Sequence, residues 1–233
     1  GVTGVQTCAL PIWLRKEILA VQARLEAVNA LLREEGDVKK RLLAAETNRT
    51  MFEQLDRDME RRIQTLGRLI EALPDTPHPR DLTAYITLCL CHIKRRCNLF
   101  FLARQGDGLP GEELSIYLDE LAKLARYAGL QLLIRCGQRG VLEIRRAALC
   151  YDFAFEAISW ALRENASPLL GYLEPEGAHL VFRFLPGGDP GQWRFSEELT
   201  TAAAALGGQI ACKDLDDAVG ICMTLPLGGE SCG

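Results

Sequence analysis

Three clusters in this chain have residue types that do chemistry. Cys89-x-Cys91-His92, with Cys97 close behind, carries thiol and imidazole ligands of the kind zinc takes. On a helix, residues two apart point about 200° from each other, so Cys89 and Cys91 cannot share one ion. Cys89 and His92 can, with a second pair from another copy of the chain; cysteines that simply pack an apolar helix are the alternative. Lys94-Arg95-Arg96 follows at once. Such cations can stabilise phosphate charge, or form a patch for an anionic surface, although three charges are few for that. Asp214, Asp216 and Asp217 resemble a cation loop faintly and a solvated turn more closely. No Gly-rich phosphate loop of the P-loop type and no nucleophile elbow occurs.

The elements that must position these residues are legible from pattern. Hydrophobic residues make up 48% of the chain, enough for a real core, and the formal net charge of −4 argues against broad nucleic-acid binding. No apolar run reaches the length of about 18 residues that spans a membrane. The nine cysteines are not spaced as a secreted disulfide framework, which predicts reduced thiols and a cytoplasmic setting.

Leu14, Ile18, Val21, Leu25, Val28 and Leu32 form a heptad seam. Glu34–Asp37 is expected to interrupt it. The seam resumes in a new register at Val38, Ala45, Phe52, Met59, Leu66 and Leu73, with Leu42, Ile63 and Ile70 between. Residues 13–73 therefore read as a coiled-coil signalling helix in a parallel dimer, or as a helix folded back on its own chain.

Pro74, Pro77 and Pro79 break the helix, and Asp81 can cap the next one. Apolar stripes on either side of a Gly106–Gly111 turn predict an antiparallel helical hairpin over 81–128, two copies of which make a four-helix bundle. Residues 130–228 then alternate: strands at Leu130–Cys136 and Val141–Ile144, a helix at Ala147–Arg163, strands at Leu169–Leu173 and His179–Leu185, a helix at Phe195–Leu206, and two closing strands. That order fits an α/β sandwich with helices on one face of a mixed sheet, and an α+β chain overall.

Two stretches resemble known sequences. Val2–Ile12 resembles the in-frame translation of a common sequencing adapter, so residues 1–12 are set aside as artefactual, and the natural chain is expected to continue upstream, where a membrane sensor could lie. At the other end, Leu206-Gly207-Gly208, a strand, an acidic turn, and a strand ending Leu225-Pro226-Leu227 resemble the C-terminal edge of the ATPase domain of sensor histidine kinases. Coiled coil, hairpin and sandwich come in that family's order, so the resemblance covers roughly residues 38–227, and His92–Leu99 resembles a divergent form of its phosphoacceptor segment.

The resemblance implies a cytoplasmic two-component signalling protein. It would be a homodimer with a response regulator as partner, with His92 as phosphoacceptor and ATP with Mg²⁺ as cofactor. The motifs depart from the family's. Ile93 stands where an acidic general base follows the histidine. Glu156 matches the first nucleotide box, but Trp160 stands where an Mg²⁺-ligating Asn belongs, and Asn165 comes late or caps its helix. Gly187, Gly188 and Asp189 match the second box loosely, Asp189 arriving late, or form a hairpin turn. Leu185–Arg194 is short for a nucleotide lid. The resemblance thus implies a degenerate ATPase-like domain. The alternatives are a non-catalytic dimeric signalling module and an ATP-independent phosphotransferase using His92.

Overall fold

The structure, a computed structural model, describes residues 6–106, 108–187, 193–215 and 218–227. The chain forms two compact units, Gly1–Arg61 and Arg62–Gly233.

The first unit consists of most of helix α1, which runs from Gln6 to Glu71. The helix passes unbroken through Glu34–Asp37, where the seam changes register. One Gly in a helix interior costs about 1 kcal/mol against Ala, and Glu, Leu, Lys and Arg on either side are good helix formers. The seam residues Val21, Leu25, Val28, Leu32, Val38 and Leu42 are all exposed, Leu25 at 62%. An Arg49–Glu53 pair one turn apart adds a few tenths of a kcal/mol at most, because both ends are solvated.

The second unit begins with the last turns of α1. A single 3₁₀ turn at Leu73–Asp75 reverses the chain into α2, Pro79–Gln105. Pro79 takes the first helical position, where a missing N–H costs nothing. That moves the cap to His78, which makes no side-chain cap bond, and leaves Asp81 in the first turn instead of at the cap expected for it. There its charge still favours the helix N-terminus. Leu66 of α1 packs with Ile86 and Cys89 of α2 in a small apolar cluster. Gly106 ends α2 in the left-handed conformation that a side chain resists.

Helix α3 (Gly111–Tyr127) buries Leu114, Tyr117, Leu118 and Leu121. It packs on α2 and also on the α/β layer, and its buried residues belong to the main core. Strand β1 (Leu109–Pro110) pairs antiparallel with β3 (Val141–Leu142) in a separate two-stranded ribbon. The strand expected at Val141–Ile144 is therefore not in the main sheet, and Ile144 opens the next helix. The main sheet has the order β2-β4-β5-β7-β6, built from Leu132–Cys136, Leu169–Glu176, His179–Pro186, Ala218–Pro226 and Gln209–Leu215. Only β2 and β4 run parallel.

Helix α4 (Ile144–Glu164) lies over this sheet, with Phe153 against Phe182 and Phe184. Helix α5 (Glu197–Ala205) is capped by Ser196, whose Oγ accepts from the Leu199 N–H at 3.1 Å. The Gly-Gly turn after it is required twice over. Gly207 has φ +72°, and a Cβ on Gly208 would stand 2.6 Å from the Thr224 carbonyl oxygen.

Candidate functional site: a sealed histidine between helices

His92 lies where the end of α1, the middle of α2 and the middle of α4 meet. The helical wheel of α2 alone places it at an accessible edge of a bundle. The structure buries it to 1% exposure, because α4 covers that edge with Tyr151, Asp152 and Phe155. The imidazole is sandwiched: its ring centroid is 3.9 Å from that of Phe155 and 5.3 Å from that of Tyr151, nearly parallel to both.

Both ring nitrogens are engaged. Nδ1 lies 2.8 Å from Nη1 of Arg62, and Nε2 lies 2.8 Å from Oδ1 of Asp152. A guanidinium only donates, so Nδ1 must be an acceptor without a proton. The imidazole is then neutral, and its single proton sits on Nε2 and is donated to Asp152. Burial holds the His92 pKa below its ordinary value, against the pull of the Asp152 carboxylate, and Arg62 and Arg96 reinforce the lowering. Burial pushes the Asp152 carboxyl up, but Arg96 and His92 prevail and hold it below the usual carboxylate range. Arg96, one turn along α2 from His92, places Nε 3.1 Å from the same Oδ1.

A second layer fixes α2 against α3. Arg95 donates to Glu120 at 2.7 Å and lies 4.3 Å above the Tyr117 ring, while the Tyr117 hydroxyl donates to Glu113 at 2.6 Å. Burial and the Glu113 carboxylate push the Tyr117 phenol up to about 12. Tyr117 in turn meets Tyr151 edge-on, which steadies one wall of the histidine sandwich.

Glu156, Asn165 and Gly187, which resemblance assigns to nucleotide, each have a structural engagement of their own. Glu156 accepts from both the backbone N–H and the hydroxyl of Ser196, and so is committed to the N-terminus of α5. Asn165 is exposed and closes α4 in the left-handed conformation, φ +52°. It lies nine positions along the chain from Glu156, a rise of about 13 Å, too far for one ion. Trp160 is buried and stacks on Trp193 at 4.9 Å, and its indole N–H has no partner among the described residues. Gly187 is a close-approach position, since a Cβ there would stand 2.5 Å from the Ser167 carbonyl oxygen. Gly188 and Asp189 lie outside the described residues. Magnesium wants several oxygen donors, and an indole in place of an amide, with the one carboxylate already bonded, does not fit that need.

Among the described residues no group of three His, Cys, Asp or Glu could hold a metal ion, so Cys89, Cys91 and His92 do not form a centre by themselves. Among the described residues, too, no helix is long and apolar enough to cross a membrane.

Sequence reading reached His92 but missed Arg62, Tyr151, Asp152 and Phe155. One signal was available: Asp152 is a carboxylate on the otherwise apolar face of α4, and a buried charge needs a partner.

No protein-family model matches this sequence, and no curated protein does. Among solved structures, the chain is similar to the histidine kinase domain of the Erythrobacter litoralis EL346 blue-light activated histidine kinase. The identity is 12%, covering 72% of this chain and 94% of that one, with a TM-score of 0.41. It is also similar to the Acinetobacter baumannii histidine kinase AdeS, at 11% identity over 74% and 98% of the two chains and a TM-score of 0.40. A bacterial phosphotransferase matches at 13% identity over 72% and 91%, with a TM-score of 0.39.

Proposed function

We propose that this chain is part of a sensor-histidine-kinase-like two-component signalling protein and acts there as a conformational module, without ATP turnover of its own. The observation that carries this is the state of His92: buried, neutral, and bonded at both nitrogens. A phosphoryl acceptor must present a lone pair to an approaching phosphorus atom. The one lone pair on this ring, at Nδ1, is occupied by Arg62. The residues at the positions where the resemblance expects a nucleotide box support the same reading, since Glu156, Trp160 and Asn165 serve packing and helix ends. In this role the chain is a cytoplasmic homodimer, associating through the seam of α1 and the α2–α3 hairpin, with a response regulator as partner.

Relay of phosphate through His92 without ATP is the second reading. Arg62 and Arg96 favour it, because two guanidiniums beside the ring would stabilise a phosphoryl group if the ring were released. The test is incubation of the full chain with γ-labelled ATP and Mg²⁺, and separately with a phosphorylated response regulator. The proposal expects no acid-labile label in either. Label from the regulator that disappears in His92→Ala would establish the relay, and label from ATP would establish a kinase. Light scattering should give a dimer, and a monomer would remove the association claim.

A further inference from the structure

We infer that His92 is an acid-released latch: uptake of a proton at Nδ1 expels Arg62 but keeps Asp152, and so frees the last turns of α1 from the joint between α2 and α4. This deepens the reading in which His92 is a structural joint, and rests on it.

The asymmetry follows from the two ring contacts. At Nε2 a donor already faces a carboxylate, and an imidazolium strengthens that contact. At Nδ1 a guanidinium N–H points at a lone pair from 2.8 Å. A proton from solvent that binds this lone pair turns the contact into two donors and two positive charges face to face, at a ring shielded from solvent. Only the Arg62–Nδ1 hydrogen bond is lost. No covalent bond other than the new N–H forms, and none breaks.

The surrounding charges fix the direction. Arg62 comes from α1, Arg96 from α2 and Asp152 from α4. With neutral His92 these are two cations around one anion; a protonated His92 makes three. The thiols and phenols near the ring stay neutral over the same range. Burial pushes the Cys89 thiol up to about 11 and raises the Tyr85, Cys91 and Tyr151 groups as well. Helix α3 reaches the wall of the ring through Tyr117 against Tyr151 and sets Glu120 near Cys91 and Tyr151. Of the three cations, Arg62 is the one to leave. Arg96 is bonded to the carboxylate, whereas among the described residues Arg62 is bonded to Nδ1, the contact that protonation abolishes.

His78 and His179 are exposed and provide reference signals for a solvated ring. The experiment follows imidazole ¹⁵N signals of the full chain against pH, with amide exchange over residues 62–72 and 148–160. At neutral pH His92 should be the Nε2–H tautomer, and it should titrate below the ordinary imidazole value of about 6.5. Through its midpoint, exchange over 62–72 should rise by about tenfold or more while 148–160 keeps its protection. In Arg62→Met the His92 midpoint should move up, and 62–72 should exchange rapidly at both ends of the range. Arg68→Met, a charge-matched control on an exposed side chain, should change neither.

A His92 carrying its proton on Nδ1, titrating at or above the ordinary imidazole value of about 6.5, or indifferent to Arg62→Met would overturn the latch. So would loss of protection in both segments together, or no titration of His92 before unfolding. Acid-labile phosphate on His92 would instead sink the non-catalytic reading and leave these titrations as they stand.

Discussion

Trp193→Ala tests whether the aromatic stack over the sheet is structural. Trp193 is 8% exposed and lies against Trp160 at 4.9 Å, Phe195 at 5.4 Å and Phe153 at 6.5 Å. A buried indole removes about 150–250 Å² from water. At about 25 cal/mol per Å² that is about 4–6 kcal/mol, an upper figure because the unfolded chain is not fully extended. Measured Trp-to-Ala changes in cores cost about 3–5 kcal/mol, so about 4 kcal/mol is expected. Trp193→Phe keeps a ring on Trp160 and should cost less than half of that. Urea unfolding followed by far-UV circular dichroism reads this as a lower midpoint at unchanged slope. The emission of Trp160 should shift to the red in the Ala variant as water reaches its ring. A loss below about 1 kcal/mol with unchanged Trp160 emission would mean that the ring does not occupy this position, and the argument that packing fills this region would fail.

Three further outcomes follow from single contacts. Ser196→Ala removes the cap of α5 and the partner of Glu156, and should cost about 1–2 kcal/mol in the same urea assay. Gly171→Ala places a Cβ 2.7 Å from the Phe184 ring and 3.1 Å from Ile134, and should cost about 1–3 kcal/mol by overpacking; a neutral result would show that the inner face of β4 has room. Stability should also fall in acid. The His92 pKa is lowered in the folded chain, so the unfolded chain takes up the proton first. The contribution is complete above the unfolded value of about 6.5 and is lost as pH falls through the folded one. Asp152 is lowered too, and its contribution is lost at still lower pH. His92→Phe keeps the stacking and should flatten the first of these slopes.

What the sequence disclosed and what it hid divide along sequence separation. Helix α4 was legible because its apolar content is local; it runs only a few residues beyond the expected Ala147–Arg163. The closing strands were legible because Gly207-Gly208 fixes the turn ahead of them and the alternation is local. Two local errors have local causes. Pro79 outranks Asp81 in setting the start of α2, and Val141–Leu142 pairs with Leu109–Pro110 instead of entering the sheet. The site was hidden for a different reason. Its contacts join His92 to a residue 30 positions upstream and another 60 positions downstream. A helical wheel of α2 shows which face is apolar, but not which helix will cover its edge. The tail from Leu206 to Leu227 pointed to an architecture, and the chemistry had to be found in side chains that no motif contains.

The central claim is that His92 is sealed. Diethyl pyrocarbonate acylates an accessible neutral imidazole nitrogen, and mass spectrometry of the modified full chain near pH 7 resolves its three histidines. The account predicts that His78 and His179 are modified readily and that His92 stays unmodified until the chain is unfolded. Modification of the folded protein at His92 as fast as at His78 and His179 would contradict it.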